Sequence, residues 1–245
     1  VKYEQKPPAE YDPAAFKAKD DLLIEIGVEE LPHKDMRAIE GQTPALVRKE
    51  LDALALPHGH IKVWVSPRRI GILVGDVPSR QQDVTKEVRG PKRQAAQNDK
   101  GEWSMAARKF AEGNGVTVDD IFFKEDGKAE YCYVNAHQKG RHIAKLLSSV
   151  IANVINGIHL TKMMGWEDTT LVFSRPIRWL VALHGGTVVP ASIALRNSQD
   201  GSGPRFINSD RISFGHRRLA PGEITIANAG EYRDVLRKRL VIVDQ

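Results

Sequence analysis

Three short stretches set guanidinium groups where chemistry could use them. They are Ser66-Pro67-Arg68-Arg69, Arg175-Pro176-Ile177-Arg178 and Gly215-His216-Arg217-Arg218. The first joins two apolar, β-branched runs, KVWV and IGILVGDV. A solvated turn between strands normally takes Gly, Asn or Asp. Two arginines behind a proline suit an anionic partner instead. The planar guanidinium meets phosphate or carboxylate oxygens two at a time and stacks on bases. Between Lys62 and Arg93, eight basic residues, including Arg89, Lys92 and Arg93, stand against three acidic ones. Arg205, Arg211, Arg217 and Arg218 have only Asp210 among them. The competing account is that these arginines pair with carboxylates and staple strands together.

Other chemistry is scarce. Glu25, Glu29 and Glu30 could share acid/base work, but a glutamate-rich first turn favoured by the helix dipole is the simpler account. His58 and His60 are the one close histidine pair, in a turn, with no third and fourth ligand at metal spacing. There is no nucleophile elbow and no Walker A loop. Gly201-Ser202-Gly203-Pro204-Arg205 lacks the strand and helix of a phosphate loop and reads as surface loop. Trp64, Trp103, Trp166 and Trp179 could stack on bases, although a core role suits each. Cys132, the one cysteine, lies in the strand-like YCYV and excludes an internal disulfide framework. The expectation is therefore no catalytic residues, no metal site and no cofactor within this stretch.

The elements that must carry these residues can be read from periodicity. Leu22, Leu23, Ile24 and Ile26 predict a buried strand, and Met36, Ile39, Val47, Leu51 and Leu54 a helix after Pro32, interrupted by Gly41 and Pro44. Strands flank Ser66–Arg69, and DVTKEVRGP predicts another. Residues 92–103 read as a polar loop. Ser104 caps a short helix, and Asp126-Gly127 turns a hairpin into YCYV. The spacing from Ile143 to Ile155 predicts the clearest helix. WLVAL and TVVPASIAL read as neighbouring strands, and the tail from Ile224 as strand, helix, strand. Hairpins interrupted by long helices predict an α+β fold, with a mostly antiparallel or mixed sheet and several packed helices. Residues 1–20 read as linker and 21–245 as the folded region, with a subdomain boundary near 92–103.

The 245 residues suffice for a sizeable core, and 27% charged with 41% hydrophobic residues is ordinary for a globular chain. A net charge of +5 mildly favours a polyanionic partner. No apolar run approaches the roughly 20 residues of a membrane helix. The charged, proline-containing start is unlike a signal peptide, and both ends read as cut from a longer protein.

EIGVEELPHKDMRAI, VSPRRIGILV, VRGPKRQA, MGWEDTTLVFSRPIRWLVAL and SFGHRR occur in this order. The ordered set resembles the β subunit of the bacterial two-subunit-type glycyl-tRNA synthetase, from about residue 21 to the end. Val28 stands where that family commonly has threonine, and the interval from Ser198 to Asp210 is longer than usual. The resemblance implies an α₂β₂ enzyme, or a fused α–β chain, that joins glycine to tRNA(Gly) with ATP and Mg²⁺. The α part would carry the class II catalytic core. This stretch would be the non-catalytic N-terminal part of β, cytoplasmic in a bacterium or housed in an organelle. The expected tRNA-binding set is Arg68, Arg69, Arg89, Lys92, Arg93, Arg175, Arg178, Arg217 and Arg218. The alternative is a scaffold that docks the α subunit or other β domains without touching tRNA.

Overall fold

A computed structural model describes residues 10–98, 101–127, 129–165, 172–194 and 206–244. In chain order its strands are β1 (Lys19–Val28), β2 (Ile61–Ser66), β3 (Arg69–Pro78), β4 (Val84–Lys92), β5 (Phe122–Asp126), β6 (Ala129–Gln138), β7 (Met164–Gly165), β8 (Val172–Phe173), β9 (Ile177–His184), β10 (Thr187–Val188), β11 (Ser192–Ala194), β12 (Phe206–Asp210), β13 (Ile212–Phe214) and β14 (Glu223–Thr225). The α-helices are α1 (His33–Ala53), α2 (Arg93–Ala96), α3 (Met105–Gly113), α4 (Leu147–Gly157) and α5 (Tyr232–Lys238). The chain is α+β, and among the described residues its sheets are antiparallel apart from one parallel pairing, β12 on β9.

The chain divides into two units: the residues up to Gln81 together with those from Arg141 onward, and the inserted Gln82–Gly140. In the first, strands run in the order β11-β12-β9-β1-β3-β2. The near-continuous apolar run of β1 suits a strand buried on both faces. Leu22, Ile24 and Ile26 pack on one side with Ile39, Val47 and Leu51 of α1 and Val150, Ile151 and Val154 of α4. Leu23 packs on the other with Val181, Leu183, Ile224, Tyr232 and Leu236. Helix α1 runs through Gly41 and Pro44 because Ile39, Thr43, Val47 and Leu51 hold one buried stripe across both.

The second unit is a sheet in the order β4-β6-β5, with α2 and α3 on one face. Ala96, Ala107, Ala111, Ile121, Cys132 and Val134 form its core. Ser104 caps α3 as its type predicts, its Oγ accepting from the Ala107 amide at 3.2 Å.

Three expectations are revised. The unit boundaries fall at 81/82 and 140/141, not near 92–103. The described residues of that polar stretch form α2 and a Gln97–Trp103 bridge, with Ala96 buried. Part of the expected linker is folded: Pro13–Ala15 form a 3-10 turn, Phe16 is buried and β1 starts at Lys19. The tail does not end in a strand among the described residues, for Val241 and Val243 pack onto the second core without a ladder partner.

Candidate functional site

Pro67 and Arg68 are the two turn residues between β2 and β3, with Ser66 opposite Arg69. Proline presets the turn's first central φ. The turn is pinned to the end of β1: the Val28 amide donates to the Arg68 carbonyl at 2.9 Å and the Leu31 amide to that of Pro67 at 2.6 Å. Register then separates the two arginines. Arg69 opens β3 and turns inward, leaving it 2% exposed, while Arg68 stays half-buried at the surface.

The inward arginine meets a fully buried carboxylate. Arg69 Nη1 lies 3.3 Å from Glu25 Oε2 and donates to Ser213 Oγ at 2.9 Å; its Nη2 donates to the Phe214 carbonyl at 2.6 Å. Glu25 also accepts from Trp179 Nε1 (2.5 Å), Ser213 Oγ (2.5 Å) and the Tyr232 hydroxyl (2.6 Å). Burial, then the Glu25 charge, pushes the Tyr232 hydroxyl pKa well above its ordinary value. A buried charge persists only when paired and hydrogen-bonded, and both conditions are met here. Gly27 and Gly71 make the room: a Cβ on Gly27 would sit 1.9 Å from the Trp179 ring, and one on Gly71 2.7 Å from the Tyr232 oxygen. This network fixes Arg69 away from solvent and takes it out of any phosphate-contacting set.

Glu25, Glu29 and Glu30 are not a helix first turn. Glu25 is in mid-strand, the other two follow β1, and α1 begins only at His33. The signal for the buried pair was an acidic residue inside LLIEIGV, where an unpaired charge could not stay.

At the same end of the sheet Arg175, Arg178 and Arg217 gather around Glu29 and Glu30. Arg178 Nε donates to Glu29 Oε1 at 2.8 Å, Arg175 Nε to the Glu30 carbonyl at 3.0 Å, and Arg217 Nη1 lies 3.4 Å from Glu30 Oε1. Glu29, Glu30, Arg175, Pro176 and Arg217 line a shallow, open cleft. His216 Nδ1 accepts from the Arg218 and Leu219 amides, which shapes the turn and leaves the Arg218 side chain exposed. Arg68 lies 5.6 Å over the Trp179 ring with a buried Nε that has no hydrogen-bond partner among the described residues. Among those residues neither Arg68 nor Arg218 has an ion-pair partner.

Arg89, Lys92 and Arg93 belong to the second unit. Arg89 pairs with Asp126 at 2.6 Å and stacks 3.7 Å over Tyr131; Arg93 pairs with Glu130 at 2.7 Å and lies 4.6 Å over Phe123. Lys92 is exposed at the end of β4. Arg205, Trp166 and the 201–205 loop lie outside the described residues. No group of three or more metal-ligating side chains occurs among the described residues, and none of their helices is long and apolar enough to cross a membrane.

Fold and site together define a mixed-sheet region whose polar end is built from arginines and glutamates. The family model described as "Glycyl-tRNA synthetase beta subunit" matches residues 22–245. The chain is 33% identical over 224 residues to the glycine–tRNA ligase beta subunit of Desulforamulus reducens, covering 91% of this chain and 31% of that protein. For the beta subunit of Bacillus subtilis the figures are 34% over 227 residues, 93% and 32%. For that of Myxococcus xanthus they are 33% over 224 residues, 91% and 30%. The chain belongs to the glycyl-tRNA synthetase beta subunit family. It spans about a third of the length of these curated relatives.

Proposed function

We propose that this chain is a non-catalytic part of a glycine–tRNA ligase that positions tRNA(Gly) by its phosphates. Aminoacylation with glycine, ATP and Mg²⁺ then proceeds on the α subunit or a fused α region. One observation carries the reading. Arg175, Arg178 and Arg217, from two separate segments, gather around Glu29 and Glu30, while Arg68 of a third segment lies over Trp179 and exposed Arg218 follows Arg217; Arg68 and Arg218 have no ion-pair partner among the described residues. A guanidinium held over an indole with no ion-pair partner suits an anionic oxygen. Contacts of this kind fix register and orientation without reading sequence.

Binding of the chain to a tRNA(Gly) transcript, at low and near-physiological salt with an unrelated tRNA as competitor, tests the reading. Arg68→Glu with Arg218→Glu should weaken binding and lower the salt slope by about two, one per lost phosphate contact. Unchanged affinity in the folded double variant would remove both residues from the interface.

A second reading rests on Arg178 and Arg217, which are already satisfied by Glu29 and Glu30. In it the charged end docks the α subunit or other β domains. Loss of α-subunit capture with tRNA affinity intact would favour it.

A further inference from the structure

Phe122, Lys124 and Asp126 of β5 share the open face of the second unit's sheet with Tyr131 and Tyr133 of β6. Ladder register sets them in rows. Tyr133 lies between Phe122 and Arg89, and Tyr131 between Lys124 and Lys92. Cys132 and Val134 alternate to the helix-covered side and are fully buried, so the face carrying the tyrosines lies opposite α3. Phe122 and Tyr133 are stacked with centroids 6.0 Å apart, and the Arg89 guanidinium sits over Tyr131 at 3.7 Å. Three half-exposed rings and three exposed cations thus occupy adjacent positions on one sheet surface.

We propose that this face takes unpaired bases of RNA, stacked on Tyr133 and on the Arg89–Tyr131 pair, with Lys92 and Lys124 on the flanking phosphates. The inference rests on the tRNA reading above for its ligand class. Bases stack on aromatic rings and on guanidinium planes, with little regard to sequence. Tyr131 and Tyr133 are two residues apart on a strand, about 6.8 Å. That is twice the ~3.4 Å rise per base of a stacked strand. The site therefore fits bases pulled out of their stack, as in a loop or a free end, and not a duplex. Glu87 holds Lys124 at 2.8 Å and Asp126 holds Arg89 at 2.6 Å, both pairs half-exposed. In the free protein Glu87 stands in for phosphate on Lys124. An arriving phosphodiester replaces that monovalent anion with another and Lys124 swings onto it, while Asp126 keeps Arg89 over Tyr131.

The test is fluorescence anisotropy of a labelled oligouridine with the whole chain at low salt, beside an RNA duplex of equal length and tRNA(Gly). Single-strand binding should exceed duplex binding. Tyr131→Leu with Tyr133→Leu should lower oligouridine affinity about tenfold or more. Tyr131→Phe with Tyr133→Phe keeps the rings and should retain it. Arg68→Glu with Arg218→Glu should weaken tRNA(Gly) and leave oligouridine unchanged. If the leucine variant fails to fold, Lys92→Glu with Lys124→Glu, on exposed side chains, must still weaken oligouridine. No oligouridine binding by the wild type, or equal binding by folded leucine or glutamate variants, overturns the proposal. In either case retained tRNA(Gly) binding leaves the proposed function standing, and loss of both ligands removes both readings. Loss of α-subunit capture in the leucine variant with oligouridine affinity intact would assign the face to a protein and likewise overturn it.

Discussion

Adjacent residues in one turn have opposite fates. Arg69 is enclosed with Glu25, and Arg68 stays at the surface beside Trp179. Removing one member of a buried pair strands the other charge, which costs about 3–5 kcal/mol. Arg69→Met and Glu25→Gln should each lower urea-unfolding stability by about that amount, and the double variant by less than their sum. Arg218→Glu, on an exposed turn, should change stability by no more than ~0.5 kcal/mol. Equal stability of Arg69→Met and wild type would mean the pair contributes nothing. The network also has a pH signature. Tyr232 holds its proton in the folded state to a higher pH than in the unfolded chain, where tyrosine ionises near 10. Its contribution is fully present below pH ~10 and is lost as pH rises beyond it, because only the unfolded state can release the proton there. Tyr232→Phe should therefore flatten the fall in stability above pH ~10 relative to wild type, measured by urea titrations at a series of pH values. Residue types and the turn were legible in the sequence, but not which arginine faced inward. That depends on strand register, and a shift of one residue exchanges the two faces. Glu25 inside an apolar run was the legible clue to a buried cation partner.

At the scale of elements, local signals were strong where periodicity and caps agreed. The apolar spacing of α4, the Ser104 cap of α3 and the β5–β6 hairpin at Asp126-Gly127 all appear where the residues predict. The failed terminal strand shows the limit, since an apolar run becomes a strand only with an unpaired edge to join. Glycines separate the two kinds of constraint. Gly27→Ala drives a Cβ into an indole that is itself held by Glu25. Overpacking of this kind destabilises by at least ~1–3 kcal/mol. At Gly41 in α1 an added Cβ would have no atom within 4 Å, and alanine there should stabilise the helix by about 0.5–1 kcal/mol. Thermal melts of the two variants should therefore move in opposite directions. A Gly27→Ala protein as stable as wild type would show that Trp179 is free to move.

At the scale of the whole molecule, the chain carries its second unit as an insertion between two residues that already touch. The Gln81 amide donates to the Arg141 carbonyl at 3.0 Å, and the Arg141 amide donates to Gln81 Oε1 at 3.1 Å. Arg80 bridges His142 beside them. Nothing in composition marks these joins, because both are polar and the chain returns to the place it left. That is why the polar 92–103 stretch drew the boundary instead. The geometry predicts that replacing Gln82–Gly140 by a short Gly-Ser bridge leaves the first unit folded, since closing so short a loop costs little entropy and none of its core residues is removed. The shortened chain should unfold cooperatively by circular dichroism and keep salt-sensitive tRNA(Gly) binding through Arg68 and Arg218, with oligouridine binding gone. A shortened chain that does not fold would show that the first unit depends on the insertion for stability. A folded chain that still binds oligouridine would place the base-stacking surface outside β4-β6-β5.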